Sequence, residues 1–168
     1  SVLAISGLLN RQLGGPSFRD VDLSTAGPNL AFRAPKTELE SEMRRRTIYR
    51  LWARSGTHPL LESLDCADPS VSQPRRAETI TPVQSLALLN NSLIETAAQA
   101  VVDKVSSADT STSADTGPSA DPAWLVERLF MRILNRRPSS AEQEACLDLA
   151  QEHGMMHVAI ILFNTNEF

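Results

Sequence analysis

Residues 81–105 read TPVQSLALLNNSLIETAAQAVVDKV, and this stretch decides the fold class. Thr81 stands as an N-cap, Pro82 takes the first helical position, and Gln84 follows three residues after the cap. Pro at N1 has no N–H to leave unsatisfied, and Thr with Gln three residues on can satisfy each other's backbone donors. Leu86, Leu89, Leu93, Ala97, Ala100, Val101 and Val105 then recur at spacings of three and four, the period of a helix with one buried face. Asn90, Asn91 and Ser92 interrupt the run. Short polar side chains compete for backbone hydrogen bonds, so the spacing predicts a kink or break there.

Downstream the same period returns. Asp121-Pro122 caps a helix carrying Val126, Leu129, Phe130, Ile133 and Leu134, with Arg128 and Arg132 off that stripe. Ser139 and Glu142 form a capping box for a helix that buries Cys146, Leu149 and Ala150 and stops near Gly154. A last helix shows Met156, Ala159, Ile160 and Phe163 on one face. Between these halves, residues 106–121 hold no large apolar side chain and repeat Ser-Ala-Asp from 107, 113 and 119. That composition predicts a mobile loop.

Upstream the pattern is weaker. Val2, Ile5, Leu9 and Leu13 predict a helix over residues 1–13 with Gly14 as its stop. Gly14, Gly15, Pro16, Gly27, Pro28 and Pro35 argue against regular structure through most of residues 14–36, apart from a short extended piece allowed by Phe18, Val21 and Leu23. Thr37 with Glu40 suggests a short helix. The run from Arg44 to Arg54 suits either period, but Thr47, Ile48, Tyr49 and Trp52 favour a pleated surface, so a short strand is expected near residues 45–53. Residues 59–65 suit a two-turn helix, and Pro69, Pro74, Arg75 and Arg76 fall in a loop. The expected fold is mainly α: about six helices, a minor β element and one low-complexity loop in a single domain spanning residues 1–168.

Composition bounds the function classes. The chain has 168 residues, 42% apolar and 21% charged, with a formal net charge of −4. Residues 1–105 carry 12 bases and 11 acids, and residues 106–168 carry 4 and 9. This balance gives no global pull toward nucleic acid or an anionic membrane. No apolar run reaches the length of a membrane span, so direct membrane insertion is not expected. The chain opens and closes inside apolar patterns and reads as part of a longer protein.

Candidate chemistry is sparse. His153 and His157 have the four-residue spacing of paired ligands, but Gly154 lies between them and no acidic third ligand is placed nearby. Attachment of a c-type haem needs two thiols and a His together, whereas Cys66 and Cys146 stand alone. Cys66, with Asp65 and Asp68 near it in sequence, reads as an inert structural thiol, and its pairing with Cys146 stays open. No Gly-rich phosphate loop or nucleophile elbow occurs. The five arginines of 44–54 follow Glu38, Glu40 and Glu42, which favours pairing within the chain over phosphate contact. No catalytic, metal-binding or cofactor-binding residue is assigned.

One ordered set of motifs goes further. It runs Arg45-Arg46-Thr47-Ile48-Tyr49, then His58-Pro59-Leu60 to Asp65, then Asp68-Pro69, Pro74-Arg75-Arg76, Thr81-Pro82-Val83-Gln84 and Leu89-Asn90-Asn91. Ser6-Gly7, Gly14-Gly15-Pro16, Arg136-Arg137-Pro138 with Glu142, and Leu162 to Phe168 extend it. This pattern resembles the planctomycete-specific domain one family, a domain of unknown function at the C-terminal end of exported planctomycete proteins that carry cytochrome-c-type domains. Leu64, Ala67 and Ser72-Gln73 depart from the family's usual Phe, Pro and Cys. The resemblance implies an extracytoplasmic setting, at the periplasm or cell surface. Haem c would sit in a separate upstream domain, and the family has no assigned activity.

The motif residues Arg45, Arg46, Tyr49, Pro59, Asp65, Arg75, Arg76, Thr81, Pro82, Gln84 and Asn90 are carried as structural or binding candidates. Asp65 is expected to pair with Arg75 or Arg76 and so tie its loop to the helix beginning at Thr81, with Gln84 completing the cap on Thr81. The first functional reading is a non-catalytic module that packs on upstream domains of the same protein or on another surface or periplasmic protein. The second is an enzyme site shared with an upstream domain, acting on a polysaccharide or another anionic substrate.

Overall fold

The structure is a computed structural model that describes residues 1–26, 29–35, 40–52, 58–66, 72, 74–75, 81–108 and 121–168. Those residues are mainly helical: α1 (Val2–Ser6), α2 (Pro59–Ser63), α3 (Pro82–Leu89), α4 (Ser92–Ala108), α5 (Pro122–Ile133), α6 (Ser140–His153) and α7 (Met155–Phe163). Strands β1 (Val21–Ala26) and β2 (Asn29–Pro35) form one antiparallel hairpin. The chain divides into two compact units. The first holds Ser1–Leu8, Leu88–Asn90 and Ile94–Phe168, and the second holds Leu9–Ala87 and Asn91–Leu93.

The first unit contains the larger core. From α4 it buries Ile94, Ala97, Ala98 and Val101; from α5, Val126, Leu129, Phe130 and Ile133; from α7, Val158, Ala159, Ile160, Leu162 and Phe163. Helix α7 buries a wide face through Val158, Ala159, Ile160, Leu162 and Phe163 and leaves His157 and Ile161 exposed on the other. Helix α6 lies at the margin, with Cys146, Leu147, Leu149 and Ala150 half-buried against that core. Its start carries the expected capping box, Ser139 Oγ accepting from the Glu142 N–H while the Glu142 carboxylate accepts from the Ser139 N–H. Asp121 caps α5 by accepting from the Ala123 N–H at 3.0 Å. Phe168 closes edge-on against Phe163 at 5.1 Å.

Several expectations are corrected. The first helix ends at Ser6, not near Gly14, because Gly7 takes a left-handed φ of 72° and its N–H returns to Ala4. A residue without a Cβ takes that conformation without penalty. Residues 14–36 are not mostly irregular: they contain the hairpin, whose register runs from Val21↔Pro35 to Ala26↔Asn29. Gly27 and Pro28 fall between the strands and Pro35 at their end, so the breakers bound the ladder rather than interrupt it. The strand expected near 45–53 is a 3-10 turn over Thr47–Tyr49, and Arg50 alone makes a parallel bridge, to Phe18. With only one bridged residue, the β-favouring side chains there have no ladder to join.

The helix predicted from Thr81 does break, between Leu89 and Ser92, where Asn91 Oδ1 accepts from the Leu93 N–H at 3.0 Å. The buried line of α4 keeps the expected Ala97 and Val101 and adds Ile94 and Ala98, while Leu93 and Ala100 are half-buried and Leu86 and Leu89 of α3 are exposed. Of the expected mobile loop, residues 106–108 belong to α4. The rest of it, residues 109–120, and the Thr37 cap lie outside the described residues.

Candidate functional site

The described residues of the second unit build three devices, two of them from the motif residues. The first is a clamp on the glycine turn. The 3-10 turn, closed by the Tyr49 N–H on the Arg46 carbonyl at 2.9 Å, brings Arg45 and Tyr49 to one side. The buried Arg45 guanidinium donates to the carbonyls of Gln12, Gly14 and Pro16 and lies 4.2 Å from the centroid of the Tyr49 ring. The Tyr49 hydroxyl accepts from the Gly14 N–H at 3.2 Å. A planar cation with a fork of donors suits several carbonyls plus a ring face, a geometry that Lys does not reproduce. Gly14 and Gly15 take φ values of 71° and 81°, which explains why the turn is glycine-rich. Arg46, the neighbouring motif residue, is exposed, and so is Ile48 at 81%.

The second device is a buried charge cluster that no motif reading assigned. The Phe18–Arg50 bridge, with the Leu51 N–H donating to the Phe18 carbonyl at 2.9 Å, sets Asp20 beside Arg50. Arg50 Nε donates to Asp20 Oδ2 at 2.7 Å, with both side chains 3% exposed. His58 Nε2, at the N-cap of α2, lies 3.7 Å from the same oxygen. Burial and the Arg50 charge push the His58 imidazole below its ordinary range, against the opposing pull of Asp20. Asp20 Oδ1, Arg50 Nη1, His58 Nδ1 and also Arg45 Nε are buried with no hydrogen-bond partner among the described residues. Trp52 sits 5.0 Å from the Arg50 guanidinium carbon.

The third device joins the end of α2 to the start of α3. Asp65 has a left-handed φ of 54°. It occupies the position just after the C-cap of α2, where its N–H returns to Glu62 and the Cys66 N–H to Leu61. Asp tolerates this conformation better than most side-chain-bearing residues. Gln84 then acts at both ends of its amide. Its oxygen accepts from the Thr81 N–H at 3.2 Å, its own backbone N–H reaches Thr81 Oγ1, and its Nε2 donates to Asp65 Oδ2 at 3.2 Å. The expected tie from Asp65 to this helix is thus made through Gln84. Arg75 is exposed and makes no ion pair among the described residues, and Arg76 lies outside them. Pro59 and Pro82 start their helices, and Asn90 follows the end of α3.

In the first unit Arg136 forks onto Glu142, with 2.6 and 2.9 Å contacts, and also reaches Glu167 at 2.6 Å. The Arg136 hydrogen bonds hold the Glu142 carboxyl down at about 2. His157 Nδ1 is spent on the His153 carbonyl at 2.7 Å. No group of three or more His, Cys, Asp or Glu among the described residues could hold a metal. Cys66 and Cys146 are free thiols, and burial raises the Cys146 pKa.

These clamps account for the spacing of the motifs, and the same motifs extend over most of the chain. A family model described as PSD1, protein of unknown function (DUF1553), matches residues 1–150. The chain belongs to this family. Its PSD1 match takes in the glycine turn, Arg45, Tyr49, Asp65, Gln84 and the Arg136–Glu142 step, and ends before Leu162–Phe168. No curated protein and no solved structure matches the chain. Sequence reading found Arg45, Tyr49, Asp65 and Gln84 but missed Asp20, Arg50 and His58 as a unit. Asp20, Arg50 and His58 lie in separate segments, and the Phe18–Arg50 bridge that brings Asp20 to Arg50 has no local signal in the sequence.

Proposed function

We propose that this PSD1 domain is a non-catalytic structural and interaction module of a multidomain exported protein that also carries cytochrome-c-type domains. One observation carries the reading: the described motif residues that make side-chain contacts spend them on the domain itself. Arg45 and Tyr49 hold the glycine turn, and Gln84 holds Thr81 and Asp65. Residues that bind their own chain in this way serve shape. Exposed large apolar side chains support an interaction role: Leu13 and Ile48 flank the clamped turn, and Val83, Leu86 and Leu89 share α3. Haem c would belong to the accompanying domains, with this domain packing on them or on another surface or periplasmic protein.

The test is binding in trans. The domain is titrated by calorimetry with the cytochrome-c-type part of its own full-length protein. Measurable affinity that weakens in Ile48→Ser or in Val83→Ser/Leu86→Ser supports the proposal; no affinity refutes it. The competing reading, an enzyme site built on Asp65 with Arg75 or Arg76, has Asp65 already accepting from Gln84.

A further inference from the structure

We propose that Asp20, Arg50 and His58 form an acid-released latch on the start of α2: the neutral imidazole lets that start sit against the Asp20–Arg50 pair, and a proton on His58 sets a second cation beside Arg50 and loosens it. The geometry carries this. One carboxylate oxygen, Asp20 Oδ2, faces both Arg50 Nε at 2.7 Å and His58 Nε2 at 3.7 Å. Arg50 already neutralises Asp20 in a site where both side chains are 3% exposed, so the cluster holds one anion for what would become two cations. The His58 side chain itself is 18% exposed, so water screens it in part, but a second cation there must share one anion with Arg50, which is unfavourable at such burial. Asp20 and Arg50 are the charged groups acting on His58 among the described residues, and the repulsion from Arg50 outweighs the attraction to Asp20.

His58 is also placed to transmit the change. It is the N-cap of α2, and its carbonyl accepts from the Glu62 N–H at 2.9 Å, the first helical bond. A side chain expelled from the cluster takes the origin of that bond with it. Histidine is the side chain whose ordinary titration falls between about pH 5 and pH 8. Its lowered proton affinity means the folded form disfavours the proton. Stability of the α2 start is therefore complete above the ordinary imidazole pKa of about 6.5 and is lost as pH falls through the lower folded value.

The chain has three histidines, and the other two, His153 and His157, are exposed on α6 and α7. A His153→Gln/His157→Gln chain leaves His58 as the one imidazole. In that chain, NMR follows the His58 ring, and amide exchange, corrected for its intrinsic pH dependence, follows Glu62 and Leu64 from about pH 8 to about pH 5. The expected result is a ring midpoint below the free-imidazole value and a rise in exchange that tracks it. A third substitution, His58→Gln, removes the rise. A midpoint at or above the free value, exchange that ignores the titration, or a rise that survives His58→Gln each overturns the proposal.

Discussion

Replacing Asp20 by Asn removes one negative charge from a site with almost no solvent. The magnitude follows from burial. An exposed ion pair is worth about 0–1 kcal/mol, because water takes up either charge when the partner is lost. Asp20 and Arg50 are each 3% exposed, so the relevant figure is the loss of about 3–5 kcal/mol seen when one partner of a buried pair is removed. Asn keeps an oxygen for the Arg50 Nε–H, which places the expected loss near the lower end, about 3 kcal/mol. Arg50 has no other anion within ion-pair distance among the described residues. The assay is urea unfolding read by fluorescence. The chain has two tryptophans, and Trp52 lies against Arg50, so a Trp124→Phe background makes the signal specific for this cluster. With a urea slope of about 1–3 kcal/mol/M, the midpoint should fall by about 1–3 M. The paired replacement Asp20→Leu/Arg50→Met removes both charges and should recover most of the loss. A loss below about 1 kcal/mol for Asp20→Asn, or a paired variant no better than the single one, refutes the reasoning.

Three further outcomes are expected. Gln84→Glu should keep the cap on Thr81 but set a carboxylate against Asp65, costing about 1 kcal/mol at neutral pH and less in acid, whereas Gln84→Ala loses both functions at every pH; thermal melts at two pH values separate them. Arg45→Lys should lower stability by about 2 kcal/mol and raise proteolytic cleavage within residues 11–17, since the ammonium cannot serve three carbonyls and a ring face together. The Glu142 carboxyl should titrate by NMR near about 2, well below its ordinary value, and move up toward that value in Arg136→Ala. Because that pKa is depressed in the folded state, the contribution is present above the ordinary carboxyl range and is lost only as pH falls toward about 2.

Helices α5 and α6 were legible because everything that shapes them is local. Asp121-Pro122 and Ser139 with Glu142 set the starts, Gly154 sets a stop, and the period sets the buried face. The break at Asn90–Asn91 was legible for the same reason. The buried face of α4 was legible in part: the period assigns Ala97 and Val101 to the core, where they lie, but it centres on Leu93 and Ala100 and leaves out Ile94 and Ala98. The Thr47–Tyr49 turn shows the opposite limit. Side-chain preference there favoured a strand, yet a strand needs a ladder, and among the described residues of that run Arg50 alone is bridged, to Phe18. Gln84 illustrates the site: its cap on Thr81 can be read from a three-residue spacing, whereas its hold on Asp65 depends on how α2 ends.

Arg132 of α5 donates two hydrogen bonds to the carbonyl of Ile5, 127 residues away in sequence. Val2, Ile5 and Leu8 join a core whose other members come from residues 88 onward. This makes the order of folding unequal within one unit. Neighbouring helices α5, α6 and α7 can find each other across short connections, whereas α1 must close a loop that includes the whole of the second unit, and that closure carries an entropic penalty rising with length. Loop closure over that span therefore predicts late docking of α1, and amide exchange at Ile5 faster than at Leu129 would bear it out. On that expectation the five residues Val2–Ser6 are the seam at which the first unit would open short of global unfolding.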